Sequence, residues 1–228
     1  MRALDDQTML SMWEHSASHS PVDRDVRMLA AIAGLEADAA ADWPIDARDH
    51  TLIAARCRTF GSEADLYALC PACGEAHEAS FDLRHLLELM PGHDDQWTWH
   101  GRTYGVKAPT SRAIAQAARG GDRRELLRLC VDGFGDGDDE PGMSEVEAAI
   151  EVRFPLVNVK MEFTCASCGH AFTSRFDAGA YLWTDIERRV EALLTDVHRL
   201  ASAYGWRERD ILEMSRARRA AYLARLFQ

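Results

Sequence analysis

The clearest chemistry in this sequence is carried by four cysteines in two Cys-x-x-Cys pairs, Cys70-Pro-Ala-Cys73-Gly74 and Cys165-Ala-Ser-Cys168-Gly169. A turn of this kind sets two thiolates on one side of an ion with its backbone amides turned toward the sulfurs, and two turns complete a tetrahedral shell. Cys70, Cys73, Cys165 and Cys168 therefore predict one structural Zn2+, with no coordination position left for a substrate water. Gly74 and Gly169 suit the turn after the second ligand, where an amide must approach sulfur and a positive φ is useful. The flanks repeat as well. The run from Cys70 to Phe81-Asp82 aligns without a gap to the run from Cys165 to Phe176-Asp177, so the units read as pseudo-equivalent knuckles of one site. The 91 residues between Cys73 and Cys165 are a long insertion for a zinc ribbon and predict a subdomain mounted between the knuckles.

Other readings of the same thiols are two unrelated pairs, one of them completed by His77 or His170, a redox dithiol, and a [4Fe–4S] cluster. The matching flanks and the lack of a strand-to-helix junction favour the shared metal. Cys57 and Cys130 stand alone in apolar helical patterns and read as core.

Further candidates fail on spacing. Counted as a calcium loop from Asp132, the acidic stretch 132–142 puts Phe134 and Met143 where oxygen ligands are needed, although Gly137 falls correctly, so a solvated loop is expected. His77-Glu78 lacks the second histidine of a metalloprotease motif, since Phe81 stands there. His15 and His19 are spaced i,i+4, but Ser16 occupies the glutamate position, and the polar stretch before Ser20 reads as a frayed surface segment. His50, His85, His93, His100 and His198 read as packing or surface residues. No phosphate loop, dinucleotide fingerprint or nucleophile elbow is present, so neither enzyme activity nor a small-molecule substrate is expected.

The elements that must position the cysteines follow from capping and periodicity. Ser20-Pro21 opens a helix carrying Val22, Val26, Leu29 and Ala33, and a second helix spans about 46–60 and stops at Gly61. Strands flank each cysteine turn. A short helix near 84–90 precedes two strands around Gly101, marked by Trp97, Trp99, Tyr104 and Val106. Helices are expected to start at Pro109-Thr-Ser111, at Asp122 with Glu125, and at Ser144 with Glu147. A long apolar stripe from Tyr181 to Ala201 ends near Gly205, and Ser215 caps a last helix. The fold class is thus α+β and mostly helical, with two short β-hairpin zinc knuckles sharing one four-cysteine site and a C-terminal helical arm. Its parts read as an N-terminal helical region (1–64), a zinc-ribbon-like core (65–178) with an inserted hairpin and helical subdomain (about 84–155), and a docking arm (179–228).

The chain has 228 residues, is 47% hydrophobic and carries a net charge of −11, which fits a folded protein and disfavours nonspecific binding to nucleic acid or anionic membranes. The charge is split. Residues 187–228 hold 9 arginines against 6 acids, a local +3, and the remainder is at −14. Arg216, Arg218, Arg219 and Arg225 could meet phosphate, which keeps a zinc-ribbon nucleic-acid binder as the alternative function, but the same split suits head-to-tail protein contacts. Trp13, Trp183, Tyr204, Trp206, Arg218 and Tyr222 are the candidate interface anchors. Only Lys107 and Lys160 are lysines, which reads as composition bias. No secretory signal or membrane span is expected, and a reducing cytoplasm fits the thiols.

With these residues in view, the chain resembles a family of small proteins encoded with the contractile tails of phages and phage-like injection systems. The resemblance runs through Met12-Trp13-Glu14, Pro21-Val-Asp-Arg24, Arg58-Thr-Phe-Gly61, both cysteine turns, Pro109-Thr-Ser-Arg112 and Phe176-Asp177 with Tyr181-Leu-Trp183. It ends in the tail Ala203-Tyr-Gly-Trp206-Arg-Glu-Arg-Asp-Ile-Leu212, Ser215-Arg-Ala-Arg-Arg219 and Tyr222-Leu223. It implies a non-enzymatic structural or assembly role at the baseplate, with other baseplate, hub or tail proteins as partners. The protein would reside in the cytoplasm during assembly and either join the particle or only assist its construction.

Overall fold

The computed structural model describes residues 3–93, 95–135 and 140–227. Residues 136–139 of the acidic loop, including Gly137, lie outside the described residues, and the expectation for them ends there.

Eleven helices and three separate two-stranded antiparallel hairpins make up the described chain. Four helices come first: α1 (Asp6–Ser16), α2 (Pro21–Ala33), α3 (Ala37–Ala41) and α4 (Ile45–Phe60). The cap of α2 is as expected, with Ser20 Oγ accepting from the Asp23 N–H at 3.2 Å and Pro21 at the first position. Its buried face runs through Asp25, Val26, Met28, Leu29 and Ala30, so Ala33 is exposed and not part of the stripe. The stretch expected to fray is a helix. Asp5 caps α1 by accepting from the Thr8 N–H, and Met9, Leu10 and Met12 bury one face, which carries His15 into ordered structure.

Hairpin one pairs β1 (Glu63–Leu69) with β2 (Ala76–Asp82), followed by α5 (Arg84–Leu87). The insert holds β3 (Asp95–Trp99), β4 (Arg102–Val106), α6 (Ser111–Gly120), α7 (Arg123–Cys130) and α8 (Met143–Arg153). Tyr104, Val106, Leu127, Cys130, Val131, Phe134, Val146, Ile150 and Phe154 give the insert its own core. The start of α8 falls earlier than its sequence suggests. Gly142 is the extended cap residue and its N–H is bound by Glu145 at 2.8 Å, whereas Glu147 is engaged by Arg123.

Hairpin two pairs β5 (Lys160–Thr164) with β6 (Ala171–Arg175) and leads through the Asp177 cap into α9 (Ala178–Tyr204). Then follow α10 (Glu208–Leu212), α11 (Arg216–Leu223) and a 3-10 turn (Ala224–Phe227). The arm divides in two. Leu182, Trp183, Ile186, Val190 and Leu193 of α9 pack with Met9, Leu10, Val26, Leu29 and Leu52, so the first part of the expected docking arm is the centre of the N-terminal core. Only the segment after Gly205 folds back on the end of α9, around Val197, Leu200 and Ile211.

Arginines make the joints. Arg48 is buried, donating to Asp49 at 2.7 Å and Ser111 at 2.9 Å, with Asp25 3.6 Å away. Asp6 accepts from Arg189 at 2.7 and 2.9 Å and also from Arg219, which joins the first helix to α9 and α11. Asp25 lies against the first turn of α9, where a Cβ on Gly179 would fall 2.1–2.5 Å from the carboxylate. Burial pushes the Asp25 carboxyl up to about 7 against the opposing pull of Arg48.

Two outcomes follow. Gly179→Ala should lower stability by about 2–3 kcal/mol through overpacking, and combining it with Asp25→Ala should recover part of that loss in chemical denaturation. Because the folded value of Asp25 is raised, its contribution is intact below the ordinary carboxylate range near 4 and is lost as pH rises through about 7. Asp25→Asn should therefore gain stability relative to the parent as pH increases from 4 to 8, read from paired melting curves.

Candidate metal centre

Each cysteine turn is the tip of a hairpin, and the two tips are built alike. In the first, Gly74 N–H donates to the Cys70 carbonyl at 2.8 Å and Cys70 N–H to the Glu75 carbonyl at 2.8 Å. In the second, Gly169 donates to Cys165 at 2.8 Å and Cys165 to the His170 carbonyl at 2.9 Å. Gly74 and Gly169 have φ of 75° and 74°, the left-handed conformation that the tight turn requires.

The bases of the hairpins fix where the tips meet. Arg56 of α4 donates to Asp185 of α9 at 2.9 Å and to the carbonyls of Gly61 and Glu63 at 2.5 and 2.6 Å, which ties the start of β1 to the long helix. Tyr181 donates to the Asp65 carbonyl at 3.1 Å. Hairpin two is held by the Phe176 N–H to the Val159 carbonyl at 3.0 Å and by Asp177, whose carboxylate caps α9 at Ala180. Ile53, Ala64, Leu83, Leu86, Leu156 and Ala178 form the apolar floor between the hairpins, α4 and α9.

This frame brings Cys70, Cys73, Cys165 and Cys168 together, with all four sulfurs within 4.8 Å of one another. Contacts cross between the knuckles: Cys70 Sγ lies 3.7 Å from Cys168 Sγ, and Cys73 Sγ lies 3.6 Å from Cys165 Sγ. A tetrahedral ion with bonds of about 2.3 Å to sulfur requires an edge of about 3.8 Å. The sulfurs are thus poised for a single ion. A [4Fe–4S] cluster gives each thiolate its own iron and would hold the sulfurs farther apart. Cys70 and Cys165 are buried whereas Cys73 and Cys168 are exposed, so each knuckle contributes one ligand of each kind.

The surroundings treat the thiols unequally. Burial opposes the Cys165 thiolate, but the N–H groups of Cys168 and Ser167 and the His77 ring outweigh it and bring the thiol down to about 6. Cys73 gains from the Glu75 N–H but is pushed up to about 12 by hydrogen bonding with the neighbouring sulfurs. Cys168 likewise has the His170 N–H in its favour and is held above the ordinary thiol range by Cys165. A divalent ion bound among them would displace the protons these thiols otherwise keep. His77 and His170 flank the site and do not join the four-sulfur group; both rings lie against Phe172, at 5.8 and 6.5 Å. Cys57 is half-buried and Cys130 fully buried, and burial pushes the Cys130 thiol up to about 12, in keeping with a core residue.

The aromatic and arginine candidates separate. Trp183 is core, 3% exposed beneath the Arg24 guanidinium, and is corrected from interface anchor to packing residue. Trp13 is half-buried against the same core. Tyr204, Trp206 and Tyr222 form one cluster, with Tyr204 and Trp206 stacked at 4.6 Å and Trp206 edge-on to Tyr222 at 4.8 Å. Arg218 is exposed beside them. Arg219 is buried on Asp6 and the Met214 carbonyl, which removes it from the phosphate candidates. That buried arginine and the Asp6 pairing had no sequence signal, because their partners are 213 residues apart.

Fold and site together define a mostly helical α+β protein with a four-thiolate, zinc-type structural motif. No protein family, curated protein or solved structure compared with this chain matches it. Among the described residues no helix is long and apolar enough to cross a membrane.

Removing the ion with a chelator should loosen both hairpins at once, because the ligands are shared. Hydrogen exchange should rise across 63–82 and 160–175 while the α9 interior at 182–193 stays protected. Cys73→Ser and Cys165→Ser should each abolish stoichiometric metal in elemental analysis and lower the melting temperature to a similar degree.

Proposed function

We propose that the protein is a zinc-stabilised, non-enzymatic assembly component that acts through protein contacts, and that its setting is the baseplate of a contractile tail or injection system. The observation that carries the structural half of this reading is the four-thiolate geometry itself. All four positions of a tetrahedral ion are supplied by cysteine, so the ion has no open position for a substrate or a water nucleophile. Zn2+ suits four thiolates and takes no part in redox chemistry. The residues that hold it are Cys70, Cys73, Cys165 and Cys168, and what it supplies is closure of the two hairpins.

The assembly half is supported by the tail motifs. Tyr204, Trp206 and Tyr222, distributed over the resemblance to contractile-tail proteins, come together as a partly exposed aromatic cluster beside Arg218. Aromatic rings with arginine are the residues enriched where protein partners anchor. The nucleic-acid alternative draws support from Arg216, Arg218 and Arg225, all exposed on a segment without acids.

Affinity purification of the full chain from cells that express a contractile-tail gene set tests the two readings. Recovery of sheath, tube or baseplate subunits with one Zn2+ per chain is the expected result. Failure to retain any tail subunit, together with DNA or RNA binding that weakens steeply with salt, would replace the assembly reading by the nucleic-acid one.

A further inference from the structure

Two exposed faces of this chain are complementary to each other and cannot meet within one molecule. The first is the outer face of hairpin one. Residues paired across the ladder share a face, so Glu63, Asp65, Tyr67 and Leu69 stand with Asp82, Ser80, Glu78 and Ala76. The alternate residues Ala64, Leu66 and Ala68 are buried, whereas Tyr67 and Leu69 are each 70% exposed. This face is an apolar pair beside Asp65, Glu78 and Glu63, with no basic residue among its eight positions; Arg84 pairs with Asp82 at one end, and Arg56, Arg175 and Arg188 line the groove on the α9 side.

The second face is the end of the arm. Tyr204, Trp206 and Tyr222 pack together there, and the guanidinium groups of Arg218 and Arg225 each lie 5.9 Å from the Tyr222 ring. Residues 204–227 hold six arginines against three acids, Glu208, Asp210 and Glu213, and Arg216, Arg218 and Arg225 are exposed. An apolar centre with an acidic rim thus faces an aromatic centre with a basic rim, the pattern that steers association and fixes its register.

Their separation is set by α9. Tyr181 near its start holds Asp65 of hairpin one, and Leu200 near its end packs in the cluster that includes Tyr222. Nineteen residues of helix place these points roughly 28 Å apart at about 1.5 Å per residue. The occupant of each face must come from another molecule, and the chain itself carries the matching surface.

We propose that copies of this protein associate head to tail, with the arm face of one copy (Tyr204, Trp206, Tyr222, Arg218, Arg225) docking on the outer face of hairpin one (Asp65, Tyr67, Leu69, Glu78) of the next. Such an interface is heterologous. Each docked copy leaves one face of each kind open, so association proceeds to a closed ring or an open filament and does not stop at a dimer. The inference stands independently of the ion's identity and of the tail setting.

Sedimentation velocity on the metal-loaded full chain tests it. The parent protein should sediment faster as its concentration rises in low salt and return to monomer in molar salt. Arg218→Glu with Arg225→Glu, and Asp65→Lys with Glu78→Lys, alter exposed positions; each double variant alone should lose about tenfold or more in association. Mixed in equal amounts, the two variants should associate again, because an intact face remains on each. Tyr67→Ser, which keeps every charge, should weaken association without changing its salt dependence. A parent protein that is monomeric at every concentration in low salt overturns the proposal, as does a mixture of the two variants that stays monomeric. Undiminished association of either double variant alone overturns it too.

Discussion

The contact between sulfurs that are more than 90 residues apart in sequence governs this molecule. A two-stranded hairpin is marginal in water by itself, and the two cysteine-bearing hairpins belong to separate sheets with no ladder between them. Their tips are held together by whatever satisfies four thiolates. Closing a loop of that length removes chain entropy worth about 4–5 kcal/mol by the reasoning applied to disulfides. The closure also sets the insert on a short tether at both ends. Its own core of Tyr104, Phe134 and Phe154 lies within that closed loop.

Where the ion does not reach, arginine takes over. Arg48, Arg56, Arg189 and Arg219 each join elements distant in sequence, and each uses several donors at once. A planar guanidinium can satisfy a carboxylate and a carbonyl together, which an ammonium cannot do with the same geometry. The near-absence of lysine, read from composition as a bias, coincides with a fold whose interior joints depend on forked donors. Buried pairs of this kind add little net stability but are expensive to break singly, so they specify which helix ends lie together more than they hold the core.

Local rules made much of this legible. Ser20, Thr110, Asp122 and Ser215 all cap helices where the sequence places them, since a short polar side chain before an apolar run has few other uses. The repeated cysteine flanks showed both knuckles because two equal turns need equal residues. What escaped was nonlocal or disguised. The polar stretch before Ser20 reads as a frayed surface segment because His15, His19 and their serines carry no apolar pattern, and only packing on α9 makes Met9 and Met12 a core. Trp183 looked like an anchor because a tryptophan on a long amphipathic helix carries no mark of which neighbour covers it. Glu145 was passed over because glycine offers no cap side chain to complete the capping box.

The unequal exposure of the four ligands bears on how the ion is exchanged. Cys73 and Cys168 face solvent, one on each hairpin, while Cys70 and Cys165 lie inside. With a metal bound, a competing thiol or chelator would meet Cys73 and Cys168 first, and Cys70 and Cys165 would be the ligands it reaches last. The inner pair, one sulfur from each hairpin, would then be the joint that water reaches least.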